Sequence, residues 1–144
     1  MGCWTEIKTA LSVTVDLQIP RWLSLILKNG DTLLDGTDLT NAISKIKNFG
    51  IEMVLLNCNL CNITANAVDV LLTNWKGPWG VYPNVGAAMP TKEGVIEEKL
   101  TIKEFANGIN KYLTSGANVV GACCGSNPDY ISAAREAIDF VAKN

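Results

Sequence analysis

Apolar positions along this chain switch between continuous runs and helical spacing, and the switch repeats four times. "IPRWLSLIL" (19–27) is a short apolar run opened by a proline, a form that suits the start of a strand. "KNGDTLLDG" (28–36) holds Asn29-Gly30, a tight-turn pair, and predicts a small hairpin-like excursion. In "TDLTNAISKIKNFG" (37–50), Leu39, Ala42, Ile43 and Ile46 recur at helical spacing; Thr37 or Asp38 can cap the start and Gly50 can end it. "IEMVLLNC" (51–58) is an almost unbroken apolar run, as expected of a strand covered on both faces. The next helix is "NITANAVDVLLTNW", with Ile63, Ala67, Val70 and Leu71 on one side.

"GPWGVYPN" (77–84) reads as a turn and a short third strand. The stretch 85–100, with Gly86, Pro90 and Gly94, reads as a surface excursion. Thr101 and Glu104 have the spacing of a capping box, and Ile102, Phe105, Ile109 and Leu113 predict the inner face of the helix behind it, closed by Gly116. "NVVGACCG" supplies the fourth strand. Asn127 caps the last helix, Pro128 takes its first position and Asp129 suits its positive end; Ile131, Ala134, Ile138 and Val141 are its expected buried stripe.

The order is therefore β-α-β-α-β-α-β-α, preceded by a short helical piece around 5–12. Such alternation predicts an α/β fold with a parallel sheet and helices outside it. Four units form either an open doubly wound sheet or half of a (β/α)8 TIM barrel. The first 18 residues look like the tail of an earlier unit, which favours the half barrel. The whole chain, 1–144, reads as one partial domain.

Composition narrows the chemistry. The 144 residues carry a net charge of −2 with no basic stripe, so nucleic acid is not an expected partner. No apolar run reaches the length of roughly 18 residues that a membrane span needs. "MGCWTEI" has Glu6 where a myristoylation signal has Ser or Thr, and Glu6, Lys8 and Asp16 break any secretory apolar segment. A cytoplasmic chain with five cysteines is the expectation, and there thiols act as metal ligands, nucleophiles or core residues rather than as disulfides. The chain has no histidine, which removes Ser-His-Asp, Cys-His and His-ligated metal chemistry.

Ligands of parallel α/β folds bind at the carboxyl ends of the strands. Cys58 closes the second predicted strand, Asn84 the third, and Cys123-Cys124 the fourth. Adjacent strand residues point to opposite faces, so both Cys123 and Cys124 reach one centre only where the strand bends; Gly121 and Gly125 flank them and allow it. Three thiolates with one open position is a zinc arrangement suited to catalysis. Three other readings stay open: buried cysteines acting as small hydrophobes, a vicinal disulfide, and a redox or four-cysteine structural pair built on Cys58 and Cys61. Cys3 is assigned nothing. Asn84 reads equally as a turn residue, and Tyr82 as a core aromatic.

"NVVGACCGSNPDYI" resembles the terminal G-G-C-C-G-T-x-P-x-H-I signature of the homocysteine S-methyltransferases. "LLNCN" is similar to their G-x-N-C segment, "VYPNVG" to their Y-P-N-A-G, and "IPRWLSLILKNGDTLLDGTDL" to their fifth strand and its following loop. The resemblance covers 5–142, corresponding to the second half of the family barrel. It implies zinc-dependent methyl transfer to the thiol of homocysteine, forming methionine, with Cys58, Cys123 and Cys124 as zinc ligands. Asn84 would lie beside the metal or the amino acid. The donors of the family include S-methylmethionine, S-adenosylmethionine, betaine and methylated folate. The segments that hold the amino acid's ammonium group belong to the half that is not present. Ala122 in place of a glycine, Ser126-Asn127 in place of Thr-x and Leu56 in the strand are departures from the pattern. A half barrel also leaves strand edges open, so self-association or a complementary N-terminal half is expected, as is a non-catalytic zinc-binding fragment or partner subunit as the alternative function.

Overall fold

The computed structural model describes residues 1–86, 88, 91–96 and 98–143. Nine principal elements follow in order: α1 (Trp4–Val13), β1 (Trp22–Leu25), α2 (Leu39–Ile46), β2 (Met53–Asn57), α3 (Cys61–Asn74), β3 (Trp79–Tyr82), α4 (Ile102–Thr114), β4 (Val119–Val120) and α5 (Pro128–Val141). One 3-10 turn, Lys47–Phe49, extends α2 and ends at Gly50, whose φ of 62° lies in the left-handed region that glycine adopts without penalty. No helix among the described residues is long and apolar enough to cross a membrane.

The four strands are parallel and lie in the order β1-β2-β3-β4. A doubly wound sheet reverses its order at a switch point; this one never does. The open doubly wound alternative is thereby excluded, and the sheet is an arc of consecutive β/α units. The N-terminus extends the arc by a stub. The Met1 ammonium donates to the Ser24 carbonyl at 2.7 Å, and the Ile26 amide donates to the Met1 carbonyl at 2.9 Å. This is the bonding of a parallel neighbour on the outer side of β1. α1 therefore follows a strand-like position at Met1.

Strand alternation divides the arc into two faces. Leu23, Leu25, Val54, Leu56, Trp79 and Val81 enter the core beneath the helices, together with Ile43, Ile46, Leu71, Phe105 and Ile109. The register places Trp22, Ser24, Met53, Leu55, Asn57, Gly80, Tyr82 and Val119 on the opposite, concave face. Trp22 is 56 % exposed there.

Helix starts follow the expected chemistry. Asp38 accepts from the Asn41 amide at the start of α2, Thr101 and Glu104 form a complete capping box on α4, and Asn127 caps α5 with Pro128 in its first turn. α1 is capped from outside: the Asp35 carboxylate, in the 28–38 excursion, accepts from the Trp4 amide at 2.7 Å. That hydrogen bond and those from Thr37 hold the Asp35 carboxyl down at about 2, with Thr37 the larger cause.

Several predicted faces rotate. On α4, Tyr112 is buried with Phe105 and Ile109, whereas Ile102 is exposed and Leu113 only half-buried. On α5 the buried side chains are Tyr130, Ala133, Ala134 and Ala137, while Ile131 is 49 % exposed. The cause is the α4–α5 contact: alanines permit close approach, and Tyr130 meets Phe105 edge to face at 5.3 Å, its hydroxyl donating to the Leu100 carbonyl. On α3, Thr64 and Val68 join Ala67 and Leu71 inside, and Ile63 and Val70 stay half-buried. The excursion 85–100 closes through a Gly86–Lys99 bridge; Pro90 lies outside the described residues.

Gly80 sits where β3 passes β4. A Cβ there would run into the Val119 carbonyl oxygen and stand 2.8 Å from Leu55 Cδ2. Gly80→Ala is expected to lower the unfolding free energy by about 1–3 kcal/mol, the ordinary cost of overpacking. Urea denaturation followed by tryptophan fluorescence measures it, and an unchanged midpoint would refute this account of the strand crossing.

Candidate metal centre

The ends of β2 and β4 lie on either side of the end of β3, because the strands are ordered as they occur in sequence. Residues 82–85, which continue β3, touch both neighbours. The Cys58 amide donates to the Tyr82 carbonyl at 3.3 Å, and the Cys123 amide donates to the Pro83 carbonyl at 2.8 Å. The Val85 amide donates to the Cys124 carbonyl at 3.1 Å. Asn84 completes the set with its side chain, Nδ2 donating to the Cys58 carbonyl and Oδ1 accepting from the Cys124 amide, both at 3.1 Å. One four-residue segment thus holds the backbones of all three cysteines.

Their sulfurs converge. Cys58 Sγ is 2.6 Å from Cys123 Sγ, which is 4.0 Å from Cys124 Sγ, and all three lie within 4.8 Å of one another. Among the described residues no other group of three or more His, Cys, Asp or Glu side chains converges in this way. All five cysteines are free thiols. The 2.6 Å separation exceeds a disulfide bond of about 2.05 Å. Tetrahedral metal–thiolate bonds of about 2.3 Å set sulfur–sulfur distances near 3.8 Å. The Cys123–Cys124 spacing fits that ruler as it stands, and the Cys58–Cys123 spacing has to open by about an ångström. The donor set is three soft sulfurs, with Cys124 exposed at the mouth and the other two half-buried. It suits a thiophilic cation with one position left for another ligand.

Of the two glycines that flank the cysteine pair, Gly125 takes the bend and Gly121 does not. Gly121 keeps an ordinary φ, and the chain continues alongside β3 through Cys123: the Gly121 amide donates to the Val81 carbonyl, then Cys123 to Pro83. Only Val119–Val120 count as regular strand because the ladder becomes irregular beyond them. The left-handed turns fall at Gly125, φ 81°, and at Cys58 itself, φ 55°. Cys58 is the sole non-glycine residue with positive φ among the described residues. A strained backbone of this kind persists only where its surroundings hold it, and the bonds from Tyr82 and Asn84 do so here.

Cys61 stands apart. It begins α3, and its thiol donates to the Asn84 carbonyl at 3.2 Å, outside the three-sulfur group; burial pushes its thiol up. Cys3 precedes α1 and takes no part. Burial, and after it the neighbouring Cys58 sulfur, also raise the Cys123 thiol above its ordinary value. A dication is the charge that reverses such a shift. Asn84 is 1 % exposed and spends its side chain on the two cysteine loops, so it lies beside the centre as a brace. Tyr82 is half-buried, and its hydroxyl meets Ser24 Oγ at 2.5 Å.

Asn59 escaped the sequence reading. Its carbonyl accepts from the Asn84 amide at 2.9 Å and its Oδ1 from the Leu27 amide at 2.8 Å, tying the turn after Cys58 to the end of β1. Its buried Nδ2 has no partner among the described residues. The signal was the pair of asparagines that flank Cys58 in "NCN".

Comparison with known proteins agrees with this architecture. A family model described as homocysteine S-methyltransferase matches residues 1–138. Homocysteine S-methyltransferase 1 of Saccharomyces cerevisiae is 27% identical over 143 residues, covering 93% of this chain and 44% of the relative. Methionine synthase of Mycobacterium leprae is 28% identical over 127 residues, 87% of this chain and 10% of that one. The metallated form of the Escherichia coli homocysteine methyltransferase MmuM superposes with a TM-score of 0.78 at 22% identity, over 94% of this chain and 42% of that chain. The fold is thus a β/α arc corresponding to part of a TIM barrel, and the chain spans less than half the length of these relatives.

Asn84→Ala removes the partners of two backbone groups at once. It is expected to cost about 1–3 kcal/mol, the penalty of stranding buried polar groups. Asn84→Asp keeps an acceptor for Cys124 but turns a carboxylate towards the Cys58 carbonyl, and should do no better. Urea midpoints of the three proteins decide it; wild-type stability in both variants would remove Asn84 from this bracing role.

Proposed function

The chain belongs to the homocysteine S-methyltransferase family, and on that premise we propose that Cys58, Cys123 and Cys124 hold zinc and present it to the thiol of homocysteine for methyl transfer, forming methionine. The observation that carries the reading is the convergence of three thiol sulfurs within 4.8 Å, braced from one segment. Bound zinc would supply a positive centre that favours the deprotonated substrate sulfur at neutral pH. The chain has no histidine to act as base, and this route to a thiolate needs none.

The residues have separable parts to play. Cys58, Cys123 and Cys124 would hold the ion as thiolates, each giving up its proton. Asn84, Tyr82 and Pro83 hold the loops in register, so that the three sulfurs need little rearrangement. The sulfur of homocysteine then attacks an electrophilic methyl carbon; a carbon–sulfur bond forms, the bond between methyl and donor breaks, and the thiol proton leaves to solvent. The donor is a small methylated compound of the sulfonium, ammonium or methyl-folate class. A reducing compartment such as the cytoplasm keeps such thiols available.

A second reading is a zinc-binding fragment or partner subunit without turnover of its own. The open faces of the sheet favour it: among the described residues β1 carries only Met1 on its outer side, and Trp22 is 56 % exposed on the concave face. A second copy of the chain or a complementary N-terminal half would cover both.

Elemental analysis of the purified chain is expected to give close to one zinc per chain, lost in Cys123→Ser. Homocysteine methylation should require the zinc form and rise when a complementary N-terminal half is supplied. Zinc-free protein after refolding with zinc would sink the metal reading. Full zinc with no turnover, even with the added half, would select the second reading.

A further inference from the structure

Every residue that β1, β2, β3 and β4 place on the concave face is apolar or glycine except three, and those three are bonded to one another. Tyr82 Oη and Ser24 Oγ are 2.5 Å apart, and Ser24 Oγ donates to Asn57 Oδ1 at 2.7 Å. With the single Ser24 proton committed to Asn57, the Tyr82 hydroxyl is the donor of the first bond. Tyr82 and Asn57 are register partners at the top of the sheet, and the row therefore runs from β3 across β2 to β1 and back to β2.

Asn57 is the residue before Cys58, and Tyr82 holds that dipeptide from two directions. Its carbonyl accepts from the Cys58 amide at 3.3 Å, and its hydroxyl acts through Ser24 on the Asn57 side chain. Cys58 is the residue with φ 55°, a conformation that needs restraint from outside. An apolar side chain at position 24 would serve the same packing purpose, and the half-buried hydroxyls of Ser24 and Tyr82 are instead bonded to each other and on to Asn57. The polar row thus has a use other than filling space.

We propose that Tyr82 and Ser24 are positioning residues for the metal centre: their hydrogen-bonded row locks Asn57 and thereby keeps Cys58 in the left-handed turn that aims its sulfur at Cys123 and Cys124. The proposal assigns no contact with substrate to any of the three. It rests on the proposed metal centre only in its metal-bound consequence; the restraint on Cys58 exists in the chain by itself.

The test has one arm without metal and one with it. In the metal-free chain, alkylation of each cysteine by iodoacetamide is followed by peptide mass spectrometry. Tyr82→Phe keeps the ring and the backbone carbonyl, and is expected to speed alkylation of Cys58 by roughly five- to tenfold, the worth of one hydrogen bond. Cys61, half-buried and outside the row, serves as the reference. Ser24→Ala should reproduce the effect, Ser24→Thr should restore wild-type rates, and the double variant Tyr82→Phe with Ser24→Ala should add nothing. In the second arm the chain is loaded with cobalt(II), whose sulfur-to-metal charge-transfer intensity per bound ion counts thiolates. Tyr82→Phe and Ser24→Ala should lower that intensity from the three-thiolate towards the two-thiolate level.

An unchanged Cys58 rate overturns the proposal. Cys58 and Cys61 accelerating together also overturns it, since that reports general loosening. Cobalt intensity per ion that stays at wild type while occupancy falls overturns it again. A wild-type chain that takes no cobalt defeats the proposed metal function instead, and the alkylation arm then decides the row alone.

Discussion

The buried carboxamide of Asn84 is the contact on which the centre depends. It is the one side chain that binds the Cys58 loop with its donor and the Cys124 loop with its acceptor. The geometry works because β3 is flanked by β2 on one side and β4 on the other. Only an order that keeps β3 between β2 and β4 lets one segment following β3 reach both the Cys58 loop and the Cys123-Cys124 loop. Strand order is thus the first cause, the bracing by 82–85 the second, and the sulfur cluster their product.

Much of this was legible in the sequence, for reasons that differ by level. The parallel units followed from apolar runs alternating with helical spacing, and the caps at Asp38, Thr101 and Asn127 followed from local hydrogen-bond chemistry that involves only a few neighbouring residues. The convergence of Cys58, Cys123 and Cys124 followed from their places at strand ends. Helix faces were less legible. Ile131 and Ile102 fit a periodic stripe as well as Tyr130 and Tyr112 do, and only the close α4–α5 contact, lined by alanines, decides which side goes inside. Hydrophobicity alone favours isoleucine; the Tyr130–Phe105 edge contact and the alanines beside it decide the buried side instead.

Two further features depended on the third dimension altogether. The bend at the cysteines was expected from Gly121 and Gly125, and Gly125 is left-handed; so is Cys58, a non-glycine held there by bonds from residues 26 and 24 positions away in sequence. Spacing cannot reveal a restraint that arrives from another strand. The Ser24–Asn57–Tyr82 row is of the same kind: a serine in "WLSLIL" reads as an interruption until the register sets it beside two other polar residues. What the sequence does display is the anomaly, a polar residue where the pattern calls for an apolar one.

The absence of histidine shapes how such a centre must work. Every donor is a sulfur, and each has to lose its proton before it can hold a cation. Burial and the adjacent Cys58 sulfur raise the Cys123 thiol, and crowding three thiolates within 4.8 Å without a cation is unfavourable. On the proposed function, a divalent cation and a fourth sulfur from substrate enter the same balance: each sulfur that binds releases a proton and adds a negative charge to a single dication. Three protein thiolates already exceed its charge by one. A fourth, from a substrate thiol bound as proposed, would make the sulfur set more electron-rich still, which would favour handing an electron pair to a methyl carbon rather than retaining it. An all-thiolate donor set therefore suits a nucleophile in a way that a neutral imidazole set does not, and the half-buried sulfurs with one exposed at the mouth leave that nucleophile an approach.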